Sequence, residues 1–182
     1  MSKKKENIGF VEGVLVGRNV IADSNDETRE LYDKTRYGEL FKSNKFQYAL
    51  LEALFLIERG KFKIFDIKGV ELDFDGFIKK ASKLEKNFWT RYLVFADLRR
   101  RGYIVKTALK FGADFRVYDR GVKPGEDHAK WVVFPVSEGD GLTWFEFSAK
   151  NRVAHSTKKK LLMGIADAEG EITYYEVGWI RP

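Results

Sequence analysis

The stretch Ala113-Asp114-Phe115-Arg116-Val117-Tyr118 decides how the second half of this chain folds. Phe115 and Val117 fall on one side of an extended backbone, and Asp114, Arg116, Tyr118 and then Arg120 fall on the other. That alternation reads as a half-buried β-strand with one polar face. Working outward, Tyr103 to Val105, Lys130 to Val136, Leu161 to Ala166 and Ile172 to Trp179 read as further strands. Thr143 to about Ser156 reads as a helix, capped by Thr143 with Glu146 in the capping-box position. Strands on both sides of a helix predict an α/β unit with a central mixed sheet over residues 85–182.

Before it, the pattern predicts a smaller mixed α/β unit over residues 1–84. Residues 8–23 read as a hairpin turning at Gly17-Arg18-Asn19, and Phe62 to Leu72 as a second hairpin around Lys68-Gly69. Residues 24–42 are polar and weakly patterned. Ser43 or Asn44 is expected to cap a helix running to about Arg59, with Leu50, Ala53, Leu54 and Ile57 on one stripe and Gly60 as its stop. Asp73 is expected to cap a helix over 74–84. A longer helix follows to Arg101, with Phe88, Trp89, Tyr92, Leu93 and Ala96 inward and Arg99, Arg100 and Arg101 in its last turn, where cations suit the dipole. The overall class is therefore α+β or α/β.

The 182 residues are 44% hydrophobic and 15% aromatic, enough for a real core. No run approaches the roughly 18 apolar residues that a membrane span needs. The basic start, Met1-Ser2-Lys3-Lys4-Lys5-Glu6, has no apolar segment behind it, so a cytoplasmic protein is expected. With no cysteine, disulfides, thiolate nucleophiles and cysteine-based zinc sites are excluded. Formal net charge is +6 and the pI about 9.3, which points to a polyanionic partner, nucleic acid being the commonest.

Three features carry chemistry. Tyr118 lies between arginines on the polar side of its strand. Tyrosine is common on half-exposed strands for packing reasons alone, but nearby cations favour the ionised phenolate, which suits a general base. His128 lies in a polar loop, Asp119 to Lys130, and is one of two histidines. It is either a solvated loop residue or a proton donor, since histidine titrates near neutral pH. Lys158-Lys159-Lys160 follow the helix ending near Ser156, where they can satisfy terminal carbonyls or stabilise negative charge at a reacting phosphorus. Together they suggest RNA cleavage without a metal. A metal nuclease built on Asp114 is one rival, and a non-catalytic RNA-binding subunit is another. Asp167, Glu169 and Glu171 form an acidic hairpin tip, either a solvated turn or a plug for a basic cleft on another subunit.

Gly-Tyr-Ile-Val-Lys-Thr (102–107), Gly-Ala-Asp-Phe-Arg-Val-Tyr (112–118), His128, Arg-Val-Ala-His-Ser (152–156), Lys158 to Lys160 and Tyr174-Tyr175 through Trp179-Ile180-Arg181-Pro182 together resemble the archaeal tRNA-splicing endonucleases (tRNA-intron lyases). The likeness is dense over 85–182 and looser before it, where Leu50-Leu51-Glu52-Ala53-Leu54 is the best anchor. It implies a nuclease-like α/β catalytic domain with Tyr118 as base, His128 as acid and Lys159 as the charge stabiliser. It implies transesterification without cofactor or metal, giving a 2′,3′-cyclic phosphate and a 5′-hydroxyl. The implied substrate is precursor tRNA at a bulge–helix–bulge, with Arg152, and less directly Trp179, gripping a bulged base. A single complete triad resembles the homotetrameric form, in which Asp167, Glu169 and Glu171 would enter a neighbour's basic cleft.

Overall fold

The alternating strand at Phe115 is the hinge of a five-stranded sheet in a computed structural model that describes residues 10–41, 44–108, 112–180 and 182. Met1 to Glu6, Ser43, Arg181 and the start of the 8–23 segment lie outside the described residues. The chain divides into two compact units, Met1–Lys86 and Asn87–Pro182.

In the first unit, β1 (Val11–Val16), β2 (Asn19–Asp23), β3 (Glu39–Phe41), β4 (Lys45–Ala49), β5 (Phe62–Phe65) and β6 (Glu71–Leu72) form a sheet in the order β3-β4-β2-β1-β5-β6. Only the β1–β5 pair is parallel. Helices α1 (Asp26–Thr35), α2 (Leu50–Glu58) and α3 (Phe74–Leu84) complete it. Both expected hairpins and the Asp73-capped helix form, the Asp73 carboxylate accepting the Gly76 N–H at 2.8 Å.

The structure adds one element here and corrects another. Residues 24–42 contain a helix: Asn25 caps α1 by accepting the Thr28 N–H at 2.8 Å, and Thr28 returns the bond to Asn25. The helix expected from Ser43 or Asn44 starts instead at Leu50. Phe46 and Tyr48 are buried while Lys45 and Gln47 are not, a period of two that pairs β4 with β2. Gln47 donates to Asn19 at 3.0 Å and Lys45 pairs with Asp23 at 2.8 Å, which fixes the register.

In the second unit, β7 (Ile104–Thr107), β8 (Phe115–Tyr118), β9 (Trp131–Ser137), β10 (Lys160–Ala166) and β11 (Ile172–Val177) run in the order β11-β10-β9-β8-β7. The β9–β10 pair is parallel and the others antiparallel, so the sheet is mixed. The crossover between the parallel strands is α5 (Trp144–Ser156), started by the full Thr143–Glu146 capping box, a device worth about 1 kcal/mol. Ala108, Ala113, Val132, Phe134, Leu161 and Met163 form one apolar cluster with Ala154 of α5.

The opposite face packs on α4 (Phe88–Arg100). Phe95 meets Phe115 at 5.9 Å between ring centroids. Gly164 lies so close under this helix that an added Cβ would sit 2.9 Å from Val94. The buried face of α4 is wider than its pattern suggested: Val94, Phe95 and Leu98 are buried. Trp89, expected inside, is 46% exposed and stacks on Tyr92 at the rim.

Candidate active site

Strand β8 presents Arg116 and Tyr118 on one face of the sheet, because they are two residues apart on an extended chain. The sequence suggested an open polar face for Tyr118. The side chain is instead 5% exposed, flooring a cleft rather than lying on a free surface. Arg120, one further alternation along, leaves the cleft and covers the Tyr103 ring at 4.9 Å.

The loop from Asp119 to Lys130 is closed at its base. The Lys130 ammonium pairs with the Asp119 carboxylate at 2.8 Å, and the Lys130 N–H donates to Val117. That ammonium holds the Asp119 carboxyl below the usual carboxylate range, with a further hydrogen bond from the Arg120 N–H. Further out, the chain turns at Pro124-Gly125: the Glu126 N–H donates to the Lys123 carbonyl at 3.0 Å, and the Glu126 carboxylate accepts the Lys123 N–H at 3.0 Å. Gly125 has φ near 97°, where a side chain would be strained. Beyond this turn His128 is exposed, its N–H donating to the Asp127 carboxylate at 2.6 Å.

The three lysines separate cleanly. Lys158 takes a left-handed conformation, φ 54°, as α5 unwinds, and its N–H caps His155. Lys160 opens β10 and points to Glu176, its Nζ 2.6 Å from the carboxylate. That bond, with one from the Trp131 indole N–H, holds the Glu176 carboxyl below its usual range. Lys159 lies between them and reaches the cleft, its Nζ donating to the Thr157 carbonyl at 3.0 Å. Tyr118, His128 and Lys159 thus line a single cleft of about 410 Å³, together with Arg116, Glu126, Asp127 and Thr157.

A second hollow, of about 580 Å³, is built from one face of α5 and the C-terminal segment. Arg152 and Trp179 both line it. So does His155, which the sequence reading left unassigned; its ring meets Trp179 edge-on at 4.5 Å. The helical spacing of Ser148, Asn151, Arg152 and His155 was the available signal.

The acidic tip is a tight turn between β10 and β11. The Asp167 carboxylate accepts the N–H groups of Glu169 and Glu171, both at 2.9 Å, so Asp167 shapes the turn while Glu169 and Glu171 are exposed. Asp114, the residue a metal site would have needed, pairs with Arg91 at 2.8 Å. Burial raises its carboxyl above the ordinary value, and Arg91 opposes that. Among the described residues no group of three or more His, Asp or Glu side chains gathers as a metal site. Among the described residues, too, no helix is long and apolar enough to cross a membrane.

Two family models match most of the chain. The family model described as the tRNA intron endonuclease catalytic C-terminal domain matches residues 88–174, and that of the tRNA intron endonuclease N-terminal domain matches residues 11–78. The tRNA-splicing endonuclease of Methanothermobacter thermautotrophicus is 43% identical over 94% of this chain and 99% of its own length. That of Pyrococcus abyssi is 38% identical over 94% and 97%. That of Nanoarchaeum equitans is 43% identical over 73% and 88%. With both family domains matched in order and relatives aligned nearly end to end, the chain belongs to the tRNA intron endonuclease family.

Proposed function

We propose that this protein is a tRNA-splicing endonuclease that cuts precursor tRNA at bulge–helix–bulge junctions by metal-independent transesterification. The observation that carries the reading is that Tyr118, His128 and Lys159, drawn from a strand, a loop and the entry to another strand, line one cleft. Residues 85–182 carry the chemistry, and 1–84 form the N-terminal unit. Tyr118, as the general base, takes the proton from a ribose 2′-hydroxyl. The new O2′–P bond forms as the P–O5′ bond breaks, and His128 donates its proton to the departing O5′. Lys159 offsets the added negative charge on the non-bridging oxygens. The products are a 2′,3′-cyclic phosphate and a 5′-hydroxyl, and a deoxyribose at the cleavage position blocks the reaction.

Arg152 and Trp179 grip an unstacked bulge base in the second hollow, as aromatic and guanidinium planes do for splayed RNA bases. Two cuts per intron require two such sites at a fixed separation, which a homotetramer supplies, with the acidic turn entering a neighbour. Since Asp167 shapes its own turn, the test of that contact is charge reversal at Glu169 and Glu171. The double variant should lose tetramer mass by light scattering, and an unchanged mass rules the contact out.

The decisive experiment incubates the pure chain with a minimal bulged RNA in EDTA and analyses the product ends. Cleavage with cyclic phosphate and 5′-hydroxyl ends is expected. Loss of cutting in EDTA, or 5′-phosphate ends, defeats the mechanism.

A further inference from the structure

Arg116 shares the cleft of Tyr118, His128 and Lys159 but has no part in the reaction just described. It is held rigidly. β8 is an interior strand, flanked by β7 and β9, and the residue is only partly accessible. Its Nε is fully buried and finds no hydrogen-bond partner. Arg91, whose Nε is also buried and without a hydrogen bond of good geometry, still pairs with the Asp114 carboxylate at 2.8 Å, whereas Arg116 forms no ion pair among the described residues.

The surroundings make an unpaired cation harder to accommodate. Directly across on β7 is Lys106, itself buried, so the two positive side chains occupy facing positions on the same side of the sheet. The two carboxylates of the cleft are engaged elsewhere, Glu126 by the Lys123 N–H and Asp127 by the His128 N–H. The buried Nε has no acceptor, and among the described residues no carboxylate pairs with the guanidinium, which is free to meet an anion entering the cleft. A buried guanidinium nitrogen without an acceptor, in the same cleft as the three proposed catalytic groups, fits a role in binding an anion.

We infer that Arg116 is a further catalytic residue, whose guanidinium binds the non-bridging oxygens of the scissile phosphate together with Lys159. The inference rests on the RNA-cleavage reading above. The planar fork of an arginine matches two phosphate oxygens at once, where a lysine offers a point charge. As the O2′–P bond forms, the phosphorus centre gains a second negative charge, and a cation already fixed in place stabilises it without reorganising. No proton passes through Arg116. It holds the phosphate oriented while Tyr118 and His128 move theirs.

The test measures single-turnover cleavage of a minimal bulged RNA at saturating protein by wild type, R116Q, R116K and Y118F. Affinity is read by anisotropy on the same RNA with a 2′-deoxyribose at the cut site, and folding by thermal melting. R116Q should cut roughly 100-fold more slowly than wild type, with affinity changed by less than ~3-fold. Its Tm should match or exceed that of wild type, since an unpaired cation has been removed. R116K should recover part of the rate. The inference is overturned if R116Q cuts like wild type, if its defect lies wholly in affinity, or if slow cutting accompanies a lowered Tm in both variants. A wild type that does not cut overturns the functional reading itself, and this inference with it.

Discussion

The two hollows of the second unit are built on opposite plans. The cleft around Tyr118 draws on β8, the loop after it and the residues that follow α5, and its tyrosine is 5% exposed. The hollow around Arg152 draws on one helix face and the C-terminal segment, and its tryptophan is 54% exposed. Proton transfer tolerates little misplacement, and of the three proposed groups Tyr118 is fixed within a strand while His128 and Lys159 stand on segments tied to strand ends. Gripping a flexible base rewards long or flat side chains that are free to adjust. The difference predicts that substitutions in the first hollow change the rate of the bound complex, and those in the second change affinity.

The largest effects belong to the first hollow. Tyr118→Phe, His128→Ala and Lys159→Ala should each slow single-turnover cleavage by roughly 100- to 10,000-fold, with affinity and melting temperature little changed. The lysine series sharpens the contrast. Lys160 is bonded to Glu176 and Lys158 is directed by its left-handed backbone, so Lys160→Ala and Lys158→Ala should cut at near wild-type rates. Losing the exposed Lys160–Glu176 pair should cost no more than about 1 kcal/mol of stability. A Lys160→Ala defect as deep as that of Lys159→Ala would reassign the charge stabiliser.

In the second hollow, Arg152→Ala and Trp179→Ala should each weaken binding of a bulged RNA by about 1–3 kcal/mol, the worth of one stacked base, and leave the saturated rate intact. Anisotropy against a fully paired control RNA separates base gripping from general phosphate attraction. If either variant instead binds normally and cuts slowly, the division between the two hollows is wrong. Trp179 already meets the His155 ring edge-on, 4.5 Å between centroids, so on the proposed reading an RNA base would compete with that contact.

Much of this was legible in the residues, unevenly. The Thr143–Glu146 box and the Asp73 cap announced α5 and α3 because capping depends on side chains a few positions apart. Helix α1 had the same kind of signal in Asn25 and Thr28, but it buries only Thr28 and Leu31, too few apolar positions to stand out in a polar stretch. The strand β4 was mistaken for a helix start because Phe46 and Tyr48 stand immediately before a truly helical apolar run, and only pairing with β2 reveals the period of two. At the site, motif resemblance pointed to Tyr118, His128 and Lys159. Alternation alone left open which of three consecutive lysines turns inward, since that depends on the single left-handed residue Lys158. Nor could it show that Arg116 would lack a partner, which is a fact about what does not pack beside it.

The smallest expected effect tests what holds the loop that carries His128. His128 rides on a loop whose base is the Asp119–Lys130 ion pair, exposed on both sides. The ammonium lowers the Asp119 carboxyl, so the folded state binds a proton there less readily than the unfolded chain does. A depressed acid contributes stability at neutral pH and loses it as pH falls through its folded-state value, below the usual carboxylate range of about 4. Asp119→Asn should therefore melt slightly below wild type at neutral pH, and the gap should close on acidification. The same variant should cut a little more slowly at neutral pH, because a looser base lets His128 wander from the departing oxygen. If the melting gap persists in acid, the loop is held by the Lys130 N–H bond to Val117 and by the turn at Gly125, and the rate of Asp119→Asn should then equal that of wild type.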